Sequence, residues 1–381
     1  MNIYLKLTVI LLFTTQLACT KIESQKKEAP EIEVDTVDLV ISEKYSTAAA
    51  KIDSFFKSRN RRGLFNGTVL FAEKGSVVYK NAFGFANFKQ KDSLTIQSPF
   101  QLASVSKPLT SFAIMLLEER GELSFEDSLR KFFPEFPYEN ITIRNLLTHR
   151  SGLPNYMYLA DEHWRDRRNI TINNKDVVDL FIEYEPLQYY KPDRRYNYNN
   201  TNYCLLAAIV QKVSKLPFED FMDKEIFNPL KMTNSYVYRK SDDSLSNHDV
   251  IGYKTRRRPA EDSYLNGVVG DKGIYSTVED LFKFDQALYK GKLVSVEKME
   301  EAYKPAHSDL WDSDNYGFGW RINTKPDSTK IVHHTGWWKG FRTYFIRDLH
   351  KEKTIIVLSN VSKYGTLGTH ELEALFDIEY E

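Results

Sequence analysis

A chain of 381 residues, 42% hydrophobic and 14% aromatic, can bury a large core and exceeds one minimal domain. Its 52 basic and 52 acidic side chains leave no formal net charge, which argues against nucleic acid as a partner. No CxxC or HExxH pattern occurs and the eight histidines are scattered, so neither a metal nor another cofactor is expected.

Met1 to Lys6 is a short, weakly basic start, Leu7 to Phe13 is apolar, and Thr14 to Ala18 leads to Cys19. The apolar run is too short for a permanent membrane span and reads as a signal peptide over residues 1–19. Ala18 directly before Cys19 resembles the lipobox of bacterial lipoproteins. That resemblance implies lipidation of Cys19, a membrane anchor and export to the cell envelope, facing the periplasm. Ordinary signal cleavage beside a coincidental cysteine is the alternative. Residues 20–46, rich in Lys, Glu, Asp and Ser, read as a flexible tether. Cys204 is the only other cysteine, so a lipidated Cys19 leaves it unpaired.

The catalytic body is expected over residues 47–381. Ala48 to Phe56 has the period of an amphipathic helix, and Gly67–Ala72 and Ser76–Lys80 flank the turn Glu73-Lys74-Gly75 as a hairpin. Near the far end, Tyr316–Ile322, Lys330–His334, Arg342–Arg347 and Thr354–Ser359 are β-rich runs between short polar turns. Strands at both ends with helices between them predict an α+β sandwich. Its antiparallel sheet comes from about 47–100 and 270–375, with a mostly helical insertion over about 110–260.

Leu109, Phe112, Ala113, Leu116 and Leu117 follow helical spacing, while Ile114 and Met115 make the opposite side apolar too, so this helix is a central one. Gly121 is a plausible stop, and Pro108 is tolerated in the first turn. Just ahead stands Ser104-Val105-Ser106-Lys107, which puts a hydroxyl and an amine one turn apart on one face. An amine so placed can take the serine proton, which makes the pair a candidate activated nucleophile. Ser24/Lys27, Ser54/Lys57, Ser128/Lys131 and Ser295/Lys298 share the spacing, but none opens a comparable helix.

Two further segments carry chemistry. Tyr198 and Asn200 precede the apolar run Leu205–Val210; a tyrosine oxygen there can shuttle a proton, and an amide two residues on can hold a carbonyl. Tyr79/Asn81, Tyr138/Asn140 and Tyr264/Asn266 match the spacing equally, and a core tyrosine is the plain alternative for Tyr198. His334-Thr335-Gly336 follows the β run from Lys330. There His334 and Thr335 would present a donor and a hydroxyl, and Gly336 would admit substrate backbone.

Ser-x-x-Lys, Tyr-x-Asn and His-Thr-Gly, in that order, resemble the serine β-lactamase and penicillin-binding-protein superfamily, specifically its class C β-lactamase, D-Ala-D-Ala carboxypeptidase and esterase branch. Ile141–Pro154, Gly270–Leu281 and Tyr316–Trp320 are similar to segments of that branch. The resemblance implies Ser104 as nucleophile, Lys107 as its proton partner, Tyr198 as general base and Asn200 as a carbonyl ligand. It places the backbone N–H groups of Ser104 and Trp337 in an oxyanion hole. His149 and Ser151 belong to a structural loop.

The implied reaction is hydrolysis through an acyl-enzyme on D-Ala-D-Ala-type peptides, esters or β-lactams. The alternatives are a carboxylesterase for small apolar esters and a non-catalytic peptidoglycan-binding lipoprotein. A Ser-His-Asp α/β-hydrolase lacks its G-x-S-x-G elbow. His334 stands where class C β-lactamases carry lysine, which tilts the expectation towards a peptidase or esterase, with Arg321 and Arg342 as candidate replacement cations. Tyr156, Tyr158, Trp164, Trp337 and Trp338 are candidates to line an apolar acyl pocket, with ordinary core and surface aromatics as the alternative.

Overall fold

Gly67–Glu73 (β1) and Ser76–Phe83 (β2) form the expected hairpin through Lys74 and Gly75, whose φ values of 48° and 74° match a tight two-residue turn. A computed structural model describes residues 37–167, 169–239, 250–256, 258–306, 315–325, 327–363 and 367–376. Cys19, the expected signal segment and most of the expected tether lie outside the described residues. Four later strands join the hairpin: Arg321–Thr324 (β3), Lys330–Trp338 (β4), Phe341–Asp348 (β5) and Lys353–Ser359 (β6). Their order is β3-β4-β5-β6-β1-β2, all antiparallel, and β1 pairs with β6 so that Gly67 faces Ser359. The two ends of the chain therefore build one sheet.

The strands are apolar almost throughout because both faces are covered. Along β6, Ile355 and Val357 face one cluster with Ala48, Ile52 and Phe56 of helix α1 (Ser46–Arg61). Ile356 and Leu358, one pleat away, face the other cluster with Leu109 and Phe112 of helix α2 (Ser106–Glu119). The packed body starts earlier than the predicted tether allows. Ile41 bridges Val77, Ser42 N–H donates to Val77 O at 2.9 Å, and Tyr45 is buried against the α1 face.

Helix α2 is buried from Ser106 to Leu117, as its all-round apolar pattern predicts. It ends where expected: Gly121 adopts φ 72°, and the N–H groups of Gly121 and Glu122 donate to Glu118 and Leu117. A second buried helix, α3 (Asn200–Ser214), packs beside it through Ser111 Oγ and Tyr203 OH, 3.1 Å apart. The segment between the two sheet portions is not purely helical. Phe100–Gln101, Ile274–Ser276 and Tyr236–Val237 form a small antiparallel sheet. Leu102 N–H continues it by donating to Ile274 O at 2.8 Å, which brings the Gly270–Gly273 turn against the start of α2.

Candidate active site

Ser104 sits in a 3-10 turn, Ala103–Val105, that runs directly into α2, rather than in the α-helix itself. Ala103 adopts φ 51°, a left-handed conformation that a non-glycine residue holds only when its surroundings enforce it. They do. Leu102 O accepts the Thr343 hydroxyl at 2.6 Å, and Gly336 of β4 passes so close that a side chain there would collide with Leu102 O and Ala103 Cβ. Ser104 remains partly exposed while its neighbours are buried.

Lys107 is wholly buried. Its Nζ lies 3.0 Å from Ser104 Oγ, 2.9 Å from Asn200 Oδ1 and 2.9 Å from Asp271 O, so all three of its hydrogen-bond positions are used. Burial pulls its pKa down from 10.5 to about 7; the Asp271 charge opposes this and the Arg321 charge adds to it. The amine is thus a usable proton acceptor near neutral pH.

Tyr198 and Asn200 are delivered by the start of α3, which begins earlier than the apolar run Leu205–Val210. Asn199 caps it: its side-chain oxygen accepts from Thr201 N–H at 3.0 Å and its amide donates to Leu153 O. His149 braces the same corner. Its Nδ1 accepts from Asn199 N–H at 3.2 Å and from the Asn202 amide at 3.0 Å, and its ring lies 4.4 Å from that of Tyr198. This agrees with the structural loop to which the sequence assigned His149, and its partners Asn199 and Asn202 are what the sequence did not show. Tyr198 is half-buried, and Lys107 Nζ and the Arg321 guanidinium lie 5.0 and 5.1 Å from its ring centre. Burial pushes the Tyr198 pKa up, against a hydrogen bond with Ser104 and the Arg321 charge.

The His-Thr-Gly segment departs from expectation. His334 is 1% exposed; its Nδ1–H donates to Thr335 O at 2.8 Å, so Nε2 accepts from Tyr316 OH at 3.0 Å. Burial, with the Lys107 and Arg321 charges, holds its pKa well below the imidazole value. Both nitrogens are occupied and the ring is neutral, so His334 offers no donor to a substrate. Tyr316, within a segment the sequence marked only as family-like, is the residue that engages it. The bare position at Gly336 is required by the Leu102–Ala103 turn, whatever the strand edge admits besides.

Pleat alternation sends the side chains of Thr335 and Trp337 to the other face, opposite Tyr344 and Arg342. Trp337 is 63% exposed there, and Arg342 donates to Ser362 O at 3.1 Å, away from Lys107. Of the two candidate cations, only Arg321 reaches the site. Tyr156, Trp164 and Tyr158 follow the alternative of ordinary core and surface aromatics: Tyr156 is wholly buried, Trp164 is buried and donates to Ile170 O at 3.1 Å, and Tyr158 is 69% exposed. β3 pairs with β4 only from Lys330 to His333, so among the described residues the edge from His334 to Trp338 has no strand beside it. An extended substrate can add along such an edge. No cluster of three or more His, Cys, Asp or Glu side chains suited to a metal occurs among the described residues.

A family model described as Beta-lactamase matches residues 48–378. The chain belongs to the beta-lactamase family. Within it, the chain is 38% identical over 322 residues to Penicillin-binding protein 4* of Bacillus subtilis (strain 168), covering 81% of this chain and 71% of that one. The solved penicillin binding protein from Bacillus halodurans superposes with a TM-score of 0.72 at 25% identity, over 84% of this chain and 98% of that one. D-amino acid amidase from Ochrobactrum anthropi SV3, solved with L-phenylalanine amide, shares the fold, with a TM-score of 0.69 at 20% identity over 87% and 96%. The protein thus has the serine-hydrolase fold of the beta-lactamase family, and its Ser104–Lys107 pair lies where a small sheet, two helices and β4 converge.

Proposed function

We propose that the protein is a serine acyl hydrolase in which Ser104 attacks a carbonyl carbon and Lys107 takes its proton. The observation that carries this reading is the 3.0 Å contact between Ser104 Oγ and a buried amine whose pKa lies at about 7. Attack forms an ester between Ser104 Oγ and the acyl carbon, and the oxyanion is held by the N–H groups of Ser104 and Trp337. The proton passes from Lys107 through Tyr198 to the leaving group, and water then cleaves the ester by the same route in reverse. The raised Tyr198 pKa makes it a proton donor and relay rather than the resting base that the family resemblance implied. Asn200, already bound to Lys107, is placed to turn its amide to the substrate carbonyl.

D-Ala-D-Ala-type peptides and β-lactams are the favoured substrates. The name of the Bacillus subtilis relative supports this, and so does Arg321, which brings a positive charge beside Tyr198 although the His-Thr-Gly histidine is neutral. Purified protein offered a D-Ala-D-Ala tripeptide, a chromogenic cephalosporin and p-nitrophenyl esters, beside Ser104→Ala, tests the reading. Turnover that survives in Ser104→Ala overturns the nucleophile assignment, and preference for small esters over both other substrates favours a carboxylesterase. Inertness to all three, with no acyl adduct by mass spectrometry, leaves the binding-lipoprotein reading. We also propose export and anchoring through Cys19; Cys19→Ser should move the protein from the membrane fraction to the soluble one.

A further inference from the structure

The Gly270–Gly273 turn carries charge that acyl transfer leaves unused. Asp271 and Lys272 are 1% and 3% exposed. Lys272 Nζ lies 3.4 Å from Asp271 Oδ1 and donates to Tyr156 OH at 2.7 Å and to Val268 O at 3.1 Å. Tyr156 OH donates in turn to Asp271 Oδ2 at 3.1 Å, so one hydroxyl closes a ring between two opposite charges. The Trp338 ring lies over the ammonium with its centre 5.1 Å from Nζ, and its indole N–H is held by Asn266 at 2.8 Å.

Stability alone does not account for this arrangement. Desolvating two charges is costly, and apolar residues of similar volume usually serve a core at least as well. Its position accounts for it better. The main-chain oxygen of Asp271 is one of the three acceptors on Lys107. One residue thus places a carbonyl on the amine and a buried carboxylate behind it.

We propose that the Asp271–Lys272 pair, closed by the Tyr156 hydroxyl, is a positioning device that fixes the 271 carbonyl on Lys107 and balances the charge around the amine. The inference rests on Lys107 acting as proton acceptor for Ser104. Other groups face Lys107 from every side. Arg321 of β3 disfavours its ammonium, while Asp271 favours it. Lys107 in turn disfavours charge on Lys272. His149 and His334 are held neutral by burial, and Tyr198 and Tyr203 present ring faces.

Three variants of the full chain separate this role from plain structural support: Asp271→Asn, Lys272→Met and the double substitution. Losing the carboxylate removes the ammonium's favourable neighbour, so the Lys107 titration midpoint should fall by about one pH unit. Losing Lys272 leaves the carboxylate uncompensated and should raise it by a similar amount. The double variant should return near the wild-type midpoint. Nitrogen NMR of the lysine amines, with Lys107 assigned from Lys107→Arg, reads the midpoint without substrate. The acid limb of the acylation rate reads it in action.

Midpoints that stay put, or move the same way in both single variants, overturn the proposal. Where a single variant does not fold, Tyr156→Phe decides, since it removes the bridge without changing charge. About a tenfold loss of kcat at unchanged KM is expected, and full activity in a folded Tyr156→Phe protein refutes the positioning role. Opposed NMR displacements in a protein that shows no Ser104-dependent turnover would leave the pair intact and refute the acyl-transfer reading instead.

Discussion

A Cβ built on Gly336 would lie 2.3 Å from the carbonyl oxygen of Leu102 and 2.2 Å from Thr343 Oγ1. The Thr343 hydroxyl bonds that same carbonyl, so one bare strand position lets β4 and β5 clamp the turn that carries Ser104. Gly336→Val must therefore push the turn away from the strand edge. We expect at least a hundredfold loss of kcat/KM, with about 1–3 kcal/mol of destabilisation from overpacking. Steady-state kinetics and urea unfolding check both numbers. Normal turnover in the valine variant would show that the clamp does not seat the nucleophile.

The second prediction concerns pH. Lys107 must be neutral to accept a proton, so kcat/KM should rise with pH through about 7, the value to which burial brings the amine. Tyr198 titrates above its ordinary range and should leave no limb near neutrality. Lys107→Met should abolish the limb and lower kcat by at least a thousandfold. A pH–rate profile flat from 5 to 9 would exclude Lys107 as the base.

The same residue should trade activity against stability. Between pH 7 and 10.5 the unfolded chain binds a proton at this lysine that the folded chain releases. Stability attributable to Lys107 therefore climbs as pH rises across that window and is lowest at pH 7 and below. Lys107→Met removes a penalty on the order of a few kcal/mol but leaves Asn200 Oδ1 and Asp271 O without their donor. Its melting temperature at pH 7 should equal or exceed that of wild type, with the advantage shrinking towards pH 10. Thermal melts at both pH values read this directly.

Arg321 offers a test of substrate class. Its guanidinium lies 5.1 Å from the Tyr198 ring centre, and although burial disfavours its charge, Tyr196, Tyr316 and Tyr198 hold its pKa above the usual value. Arg321→Met should lower kcat/KM about tenfold to a hundredfold for a tripeptide ending in a free carboxylate, mainly through KM. The p-nitrophenyl esters should change by less than about threefold. Equal losses on both would assign Arg321 to Tyr198 alone rather than to the substrate carboxylate.

Local features were the legible ones. The Lys74-Gly75 turn, the apolar wrap of α2 and the one-turn offset of Ser104 and Lys107 depend on neighbours a few residues away, and the structure repeats them. What residue type did not reveal was the orientation of His334 and Thr335. Which face of a strand a side chain takes depends on register with β5, and no residue near His334 announces Tyr316 as its partner. The third acceptor on Lys107 was invisible for another reason: it is a main-chain oxygen, and backbone atoms leave no signature in residue type. The apolar run Leu205–Val210 marks only the middle of α3, because Asn199 caps its start through polar contacts that an apolar period cannot register.

The closure of the sheet by both chain ends has a consequence for the order of synthesis. Thr343 follows Leu102 by 241 residues, and Gly67 of β1 waits for Ser359 as its partner across β6. A nascent chain carries Ser104 and Lys107 well before the strands that seat them are made. The proposed site can therefore assemble only once β4 and β5 have been made. A chain arrested before Phe341 has the reactive residues and no site.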